Sequence, residues 1–205
     1  MDLSQEFEDK FEYGDIVLHV DMSFDNILRF HDLLESDHTN EAKVLWGLEA
    51  LIENYHEIEH LTIEEQYELF KYVMKEFLDQ DLDKKPAEGD SAPGKKKEYD
   101  FNVDAERIYA SFLMDYNLDL FEQQGKLHWK KFMSLLGGLS EKTPFMQVVN
   151  IRTMEIPSKD DHKRSFEKNK QKIMKLKRLY ELDQNEKNAD EVFENMITAF
   201  GGRGE

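Results

Sequence analysis

The feature that most constrains this chain is the stretch from Tyr99 to Pro157, where large apolar side chains recur at helical spacing more densely than anywhere else. Ala105, Ile108, Tyr109, Phe112, Leu113 and Tyr116 fall at i, i+3, i+4, i+7, i+8 and i+11, a set that lines one side of a helix broadly enough to face a core. Asn102 or Asp104 is placed to cap that helix, because a short side-chain oxygen satisfies a backbone N–H left unpaired in the first turn. Asn117, tolerant of left-handed geometry, is placed to end it. Leu127 to Leu136 carries Trp129, Phe132, Met133 and Leu135 on more than one face, which predicts a helix buried on most sides and closed by Gly137 and Gly138 through positive φ. A further helix is predicted from Thr143 as N-cap with Pro144 in the first helical position, Pro157 marking its outer limit.

The first half reads as a hairpin followed by three helices. Phe11, Tyr13, Ile16, Leu18 and Val20 fall at every second position on either side of Gly14-Asp15, which predicts a β-hairpin over 9–20. Ser23 is placed to cap a helix reaching about Glu35 that carries Ile27, Leu28, Phe30 and Leu34. A second helix is predicted from Asn40 to about Tyr55, with Leu45, Leu48, Ile52 and Tyr55 on its apolar stripe. The third opens on a capping box, Thr62 with Glu65, and continues through Ile63, Tyr67, Phe70, Met74 and Phe77.

Residues 80–98 lose their large apolar side chains apart from Leu82 and gather prolines, glycines and mixed charge, the composition of a solvated linker. Lys159 to Tyr180 has Phe166, Ile173 and Tyr180 seven apart with Leu176 between, a narrow seam interrupted by Asn169. Beyond Asp183 the chain turns polar, then offers a short amphipathic segment in Val192, Phe193, Met196, Ile197 and Phe200, the residues expected to bind a partner. The resulting expectation is a mainly α chain: a single helical domain of about seven helices with a small N-terminal β-hairpin. Its parts are 1–79, a linker or loop at 80–98, a helical core at 99–182 packing on the first half, and a flexible tail at 183–205.

The net charge of −17 opposes binding to a phosphate backbone. Residues 159–181 depart from it, holding nine Lys or Arg against four Asp or Glu, a local +5 that leaves −22 on the rest. No apolar run approaches the roughly 20 residues that cross a bilayer, and the opening MDLSQEFEDK is too acidic and polar for a signal peptide. With no cysteine there is neither a disulfide framework nor a thiolate metal site, in keeping with a reducing cytosol.

His56-Glu57-Ile58-Glu59-His60 spells the H-E-x-x-H pattern in which two histidines one helical turn apart bind zinc and the glutamate serves as base. A zinc hydrolase through His56, Glu57 and His60 is therefore one alternative function. The capping box begins a new helix two residues after His60, so the two imidazoles need not share a face, and Ile63 and Gln66 supply neither the glycine nor the third histidine of the extended motif. Solvated side chains at a helix junction are the better reading. A nucleic-acid-binding regulator through the basic helix 159–181 is the other alternative, weakened by the scarcity of aromatics for base stacking. Asp79, Asp81 and Asp83 imitate the start of a calcium loop, but Lys84 stands where the turn needs glycine and Pro86 interrupts it. His128 beside Trp129 is expected to be a hydrogen-bonded or partly exposed histidine of a packed helix.

The run DAERIYASFLMDYNLDL, the LHWKKFMSLLGGL that follows and the closing RTMEIP together resemble a family of tail-assembly proteins from long-tailed, siphovirus-type phages and prophages of Gram-positive bacteria. In such phages the gene lies between those of the major tail protein and the tape measure. A second aromatic often follows the tryptophan where this chain has Lys130, and a glycine is common where it has Asn117; neither change touches a chemical group. The resemblance implies a tail assembly chaperone of the host cytoplasm, not an enzyme, with no cofactor and no metal. It implies the tape-measure protein, a companion tail assembly chaperone and the major tail protein as partners, with self-association open and no role for nucleic acid or membrane.

Overall fold

The computed structural model describes residues 3–82, 97–156 and 164–182, with side chains from residue 169 onward in the last stretch. They hold a two-stranded hairpin and seven α-helices, the mainly α architecture the sequence predicts. Contacts cluster into two compact units. One comprises 3–82 with 124–132, the other 97–123 with 133–156 and 164–182.

The first unit opens with β1 (Lys10–Tyr13) and β2 (Ile16–His19), antiparallel, with Tyr13 opposite Ile16. Gly14 takes φ +61, the positive value that the first central position of a tight two-residue turn requires. Helix α1 (Phe24–Glu35) follows, burying Phe24, Ile27, Phe30 and Leu34. Ser23 occupies the N-cap position without capping through its side chain; its buried Oγ has no protein partner.

Helix α2 (Asn40–Leu51) stops four residues before the expected end at Tyr55. Ile52 is extended and bridges Val20, and Asp21 N–H donates to the Leu51 carbonyl, so the backbone leaves the helix to pair with the segment after β2. The buried face of the helix is Val44, Gly47, Leu48 and Leu51; of the expected stripe, Leu48 and Ile52 are buried, Ile52 just beyond the helix end, while Leu45 and Tyr55 are half-buried. Gly47 sets that face. A β-carbon there would lie 2.9 Å from a Phe30 ring atom and 3.0 Å from a Phe70 ring atom, so only glycine lets the helix approach both rings.

A 3-10 turn (Tyr55–Glu57) leads to α3 (Ile63–Leu78), whose capping box forms in full: Glu65 N–H donates to Thr62 Oγ1 and Thr62 N–H to the Glu65 carboxylate. Tyr67, Phe70, Met74 and Phe77 are buried as predicted, together with Leu69 and Val73. Asp79 ends the helix in left-handed geometry at φ 58, and Leu82, assigned to the linker by composition, joins the core of this unit instead. Segment 124–132 completes it. Phe24 N–H donates to the Leu127 carbonyl at 2.9 Å, Trp129 N–H donates to the Met22 carbonyl at 2.7 Å, and the Phe132 ring stacks on Phe24 at 5.0 Å.

The second unit holds α4 (Ala105–Tyr116), the end of α5 (Trp129–Gly137), α6 (Pro144–Thr153) and α7 (Arg164–Leu179). Asn117 closes α4 in left-handed geometry at φ 51, as expected. The buried face of α4 is Asp104, Ile108, Ser111 and Phe112; Ala105 and Leu113, placed on the core stripe by spacing, are exposed. Ser111 explains the rotation, because its Oγ donates to the Arg107 carbonyl and accepts from Phe145 N–H at the start of α6.

Helix α5 begins at Trp129, after the expected Leu127, and keeps Lys131, Ser134 and Gly137 exposed, so it is not buried on most sides. Neither Gly137 nor Gly138 adopts positive φ. Gly138 serves by being small: a β-carbon would meet the Tyr116 hydroxyl at 2.9 Å, and that hydroxyl donates to the Leu135 carbonyl. Thr143 caps α6 through Met146 N–H with Pro144 at the first position, as predicted.

Candidate functional site

The sequence places its partner-binding residues at Val192, Phe193, Met196, Ile197 and Phe200, which lie outside the described residues. So do Asp83 and most of the linker. Phe166 falls in the part of α7 whose side chains are not described, while Ile173, Leu176 and Tyr180 of the same seam are half-buried.

His56 and His60 are exposed, and the H-E-x-x-H residues form a 3-10 turn followed by irregular turns. The motif depends on one α-helical turn between the histidines, and that turn is missing. Its residues serve the fold instead. Ile58 is fully buried, and Glu57 accepts from Asn54 Nδ2 at 2.9 Å. Asn54 in turn binds the outer edge of β2, donating to the Val17 carbonyl at 2.9 Å and accepting His19 N–H at 3.1 Å. Among the described residues no group of three or more His, Asp or Glu side chains is placed to hold a metal ion. Asp79, from the calcium-like run, is the left-handed cap of α3.

His128 is buried. Its ring stacks flat on Phe7 with centroids 3.8 Å apart, Nε2 faces Asp9 Oδ1 at 3.2 Å, and Nδ1 accepts Lys130 N–H at 3.0 Å. With Nδ1 an acceptor, the neutral ring carries its proton on Nε2 and donates to Asp9. Burial pushes the imidazole pKa below its ordinary value, and the Asp9 carboxylate only partly opposes this. Both nitrogens are engaged, so the ring anchors the segment around Asp9 rather than standing ready to take a proton from a substrate.

The second unit is organised around Asp104, a residue the sequence suggests only as a helix cap. It makes no cap bond. Its buried carboxylate receives the Arg152 guanidinium in a two-pronged pair, with Arg152 Nη2 to Asp104 Oδ1 at 3.0 Å, and accepts from Arg107 Nη1 at 3.1 Å and Asp100 N–H at 3.1 Å. Arg152 also donates through Nε to the Tyr180 carbonyl at 2.6 Å and through Nη1 to the Glu98 carbonyl at 3.2 Å. Lys177 of α7 donates to the Arg152 carbonyl at 2.9 Å. Beside this hub, burial alone would raise the Asp100 pKa, but Lys97 and the backbone N–H groups of Val103 and Asn102 hold the carboxyl below its usual range. Asp104 and Arg107 belong to the DAERIYASF run and Arg152 to RTMEIP, so the two outer pieces of the resemblance meet in one ion cluster.

Two surface features remain. On the second unit, Leu113 and Met114 are 43% and 58% exposed on the outer face of α4, and Phe121 is 69% exposed. Tyr109, one turn before Leu113, packs against Phe121 with ring centroids 5.3 Å apart, which makes Leu113, Tyr109 and Phe121 one continuous apolar strip. On the first unit, a groove of about 490 Å³ runs between β1 and α3, floored by Phe11, Tyr67 and Leu69.

Among the described residues this is a mainly α protein whose polar clusters hold its own elements together, with an apolar strip on one unit and an aromatic groove on the other. Residues 3–182 match the family model described as Bacteriophage Gp15 protein, and the chain belongs to that family; it is a bacteriophage protein. No curated protein and no solved structure matches it.

Proposed function

We propose that this chain is a tail assembly chaperone of a long-tailed phage, which binds the tape-measure protein in the host cytoplasm and keeps it soluble until the tail tube polymerises around it. Membership of a phage family supports the phage setting. The observation that carries the reading is the exposed strip of Leu113, Tyr109 and Phe121, with Met114 beside it. A soluble protein with a charge of −17 leaves large apolar side chains open to water where another chain covers them. A tape-measure protein is a long, largely helical chain whose apolar faces need cover before the tube encloses them, and a helix face of this kind meets them as one amphipathic helix meets another. The charge keeps the complex from aggregating. The action is binding rather than catalysis, and none of the described helices is long and apolar enough to cross a membrane.

Coexpression with successive fragments of the tape-measure protein tests this. At least one fragment that precipitates alone should stay soluble and copurify with the wild-type chain. The triple variant Leu113→Ser, Met114→Ser, Phe121→Ser should lose that effect while keeping its helical circular dichroism. The pair Phe193→Ser, Phe200→Ser measures what the C-terminal segment adds. If no fragment is retained or solubilised by the full-length protein, the proposal fails.

A further inference from the structure

The groove between β1 and α3 has three properties that together specify an occupant. The first is an open strand edge. Asp9 accepts Val20 N–H at 2.8 Å, and hydrogen-bonded pairs alternate along an antiparallel ladder, so Phe11 and Tyr13 exchange their bonds with Leu18 and Ile16. The main-chain groups of Lys10 and Glu12 on β1, and of Val17 and His19 on β2, therefore point outward. On β2 they are covered, by Asn54 and by Glu53 N–H, which donates to the His19 carbonyl at 2.9 Å. On β1 no further strand lies alongside among the described residues.

The second property is an apolar floor beside that edge. Phe11 packs on Tyr72 with ring centroids 4.8 Å apart, and Tyr72 remains 44% exposed. The third is charge. Glu12, Glu64, Glu65 and Glu68 line the groove, and no basic side chain does. Lys71 pairs with Glu68 at 2.8 Å and reaches over the Tyr67 ring at 5.5 Å, which shows how an ammonium group is received there.

We infer that this groove binds an extended, basic peptide segment of a partner protein, which adds to β1 as a third strand with apolar residues on Phe11 and Tyr72 and lysines or arginines toward the glutamates. Main-chain bonding through Lys10 and Glu12 supplies the register, the aromatic floor selects every second side chain, and the carboxylates select its charge. A second copy of this chain is a poor occupant, because two β1 edges would bring Glu12 and the acidic rims of both copies together. The C-terminal segment around Val192 is also mismatched, with Asp190, Glu191 and Glu194 beside its apolar residues. The inference is independent of the chaperone reading and concerns a different surface.

Fluorescence anisotropy with full-length protein and labelled octapeptides tests it. A peptide of alternating valine and lysine should bind, and its valine and glutamate counterpart should not. Raising the salt concentration should weaken binding by about tenfold or more. Tyr72→Ala and Glu64→Lys should each reduce affinity with circular dichroism unchanged. Glu12→Pro should also reduce it, because it deletes an outward N–H and leaves the bonds to β2 in place. Absence of binding, equal binding of both peptides, or full affinity in Glu12→Pro would each overturn the inference. So would a gain of about tenfold or more on replacing 84–96 by a glycine-serine linker, since the chain's own lysine-rich segment would then be the occupant.

Discussion

The guanidinium of Arg152 clasps the carboxylate of Asp104 across 48 residues of sequence, with the side chains 7% and 0% exposed. Through it the end of α6 is fixed to the start of α4, and its remaining donors hold the backbone at Glu98 and Tyr180. Such a pair contributes little net stability over an apolar substitute, but half of it is costly to keep. Arg152→Ala should therefore destabilise the second unit by about 3–5 kcal/mol, leaving the buried Asp104 carboxylate with Arg107 and the Asp100 N–H in place of a two-pronged guanidinium. The double variant Asp104→Leu, Arg152→Met should be less destabilised than the two single changes added together. Urea denaturation of the four proteins measures the coupling, and strict additivity would contradict it.

Gly47→Ala sets helix propensity against space. Alanine favours the helix by about 1 kcal/mol over glycine. Its β-carbon would meet the Phe30 and Phe70 rings at 2.9 and 3.0 Å, and overpacking of this kind costs about 1–3 kcal/mol. Both rings are fully buried, so the clash should win and the variant should unfold at lower denaturant.

Thr62→Ala removes the oxygen that accepts Glu65 N–H and should cost about 1 kcal/mol. His56→Ala, only six residues away, should be neutral in stability and leave elemental analysis unchanged, with no stoichiometric zinc before or after. About one zinc per wild-type chain would restore the hydrolase alternative.

His128 gives the protein a pH dependence of definite sign. Burial depresses its pKa, with Asp9 opposing and Lys130 and Lys131 adding to the depression. The unfolded chain therefore takes up the proton first. Stability from this group is complete above its ordinary pKa of 6.5 and is lost as pH falls through the window below it. Loss of the Asp100 contribution follows only below its ordinary value of 3.8, so the two are separable. His128→Gln should flatten the stability profile below pH 6.5 relative to wild type, measured by thermal melts on the acid side of that value.

The basic segment 159–181 should show negligible affinity for DNA or RNA at physiological salt. The remainder of the chain carries −22, and Lys177 is already committed to the Arg152 carbonyl. Filter binding across a salt series checks this, and a salt-dependent submicromolar complex would contradict it.

Features fixed by neighbours in sequence were legible. The Gly14 turn, the Thr62 and Glu65 box, Thr143 with Pro144 and the left-handed Asn117 each depend on a few adjacent atoms, and each stands where spacing and side-chain chemistry put it. What failed depends on distant partners. Leu51 ends α2 because Val20 captures Ile52, and Ser111 turns α4 because Phe145 N–H needs an acceptor. Asp104 looked like a cap because its mate lies far along the chain. The groove was hidden for the same reason: Phe11 and Tyr72 come from different elements, and Tyr72 lies off the apolar stripe of α3. Of the candidate site, the alternating aromatics of β1 were visible, but nothing local marked its edge as open.

The return of residues 124–132 to the first unit bears on how the chain is born. A ribosome that has delivered α3 has made every helix up to that point, yet Met22, Phe24 and His31 still lack Trp129 and Phe132. The first unit is finished only once residue 132 has left the exit tunnel, so its nascent form spends that interval with an unsealed flank, and a fragment ending before residue 97 keeps that flank permanently.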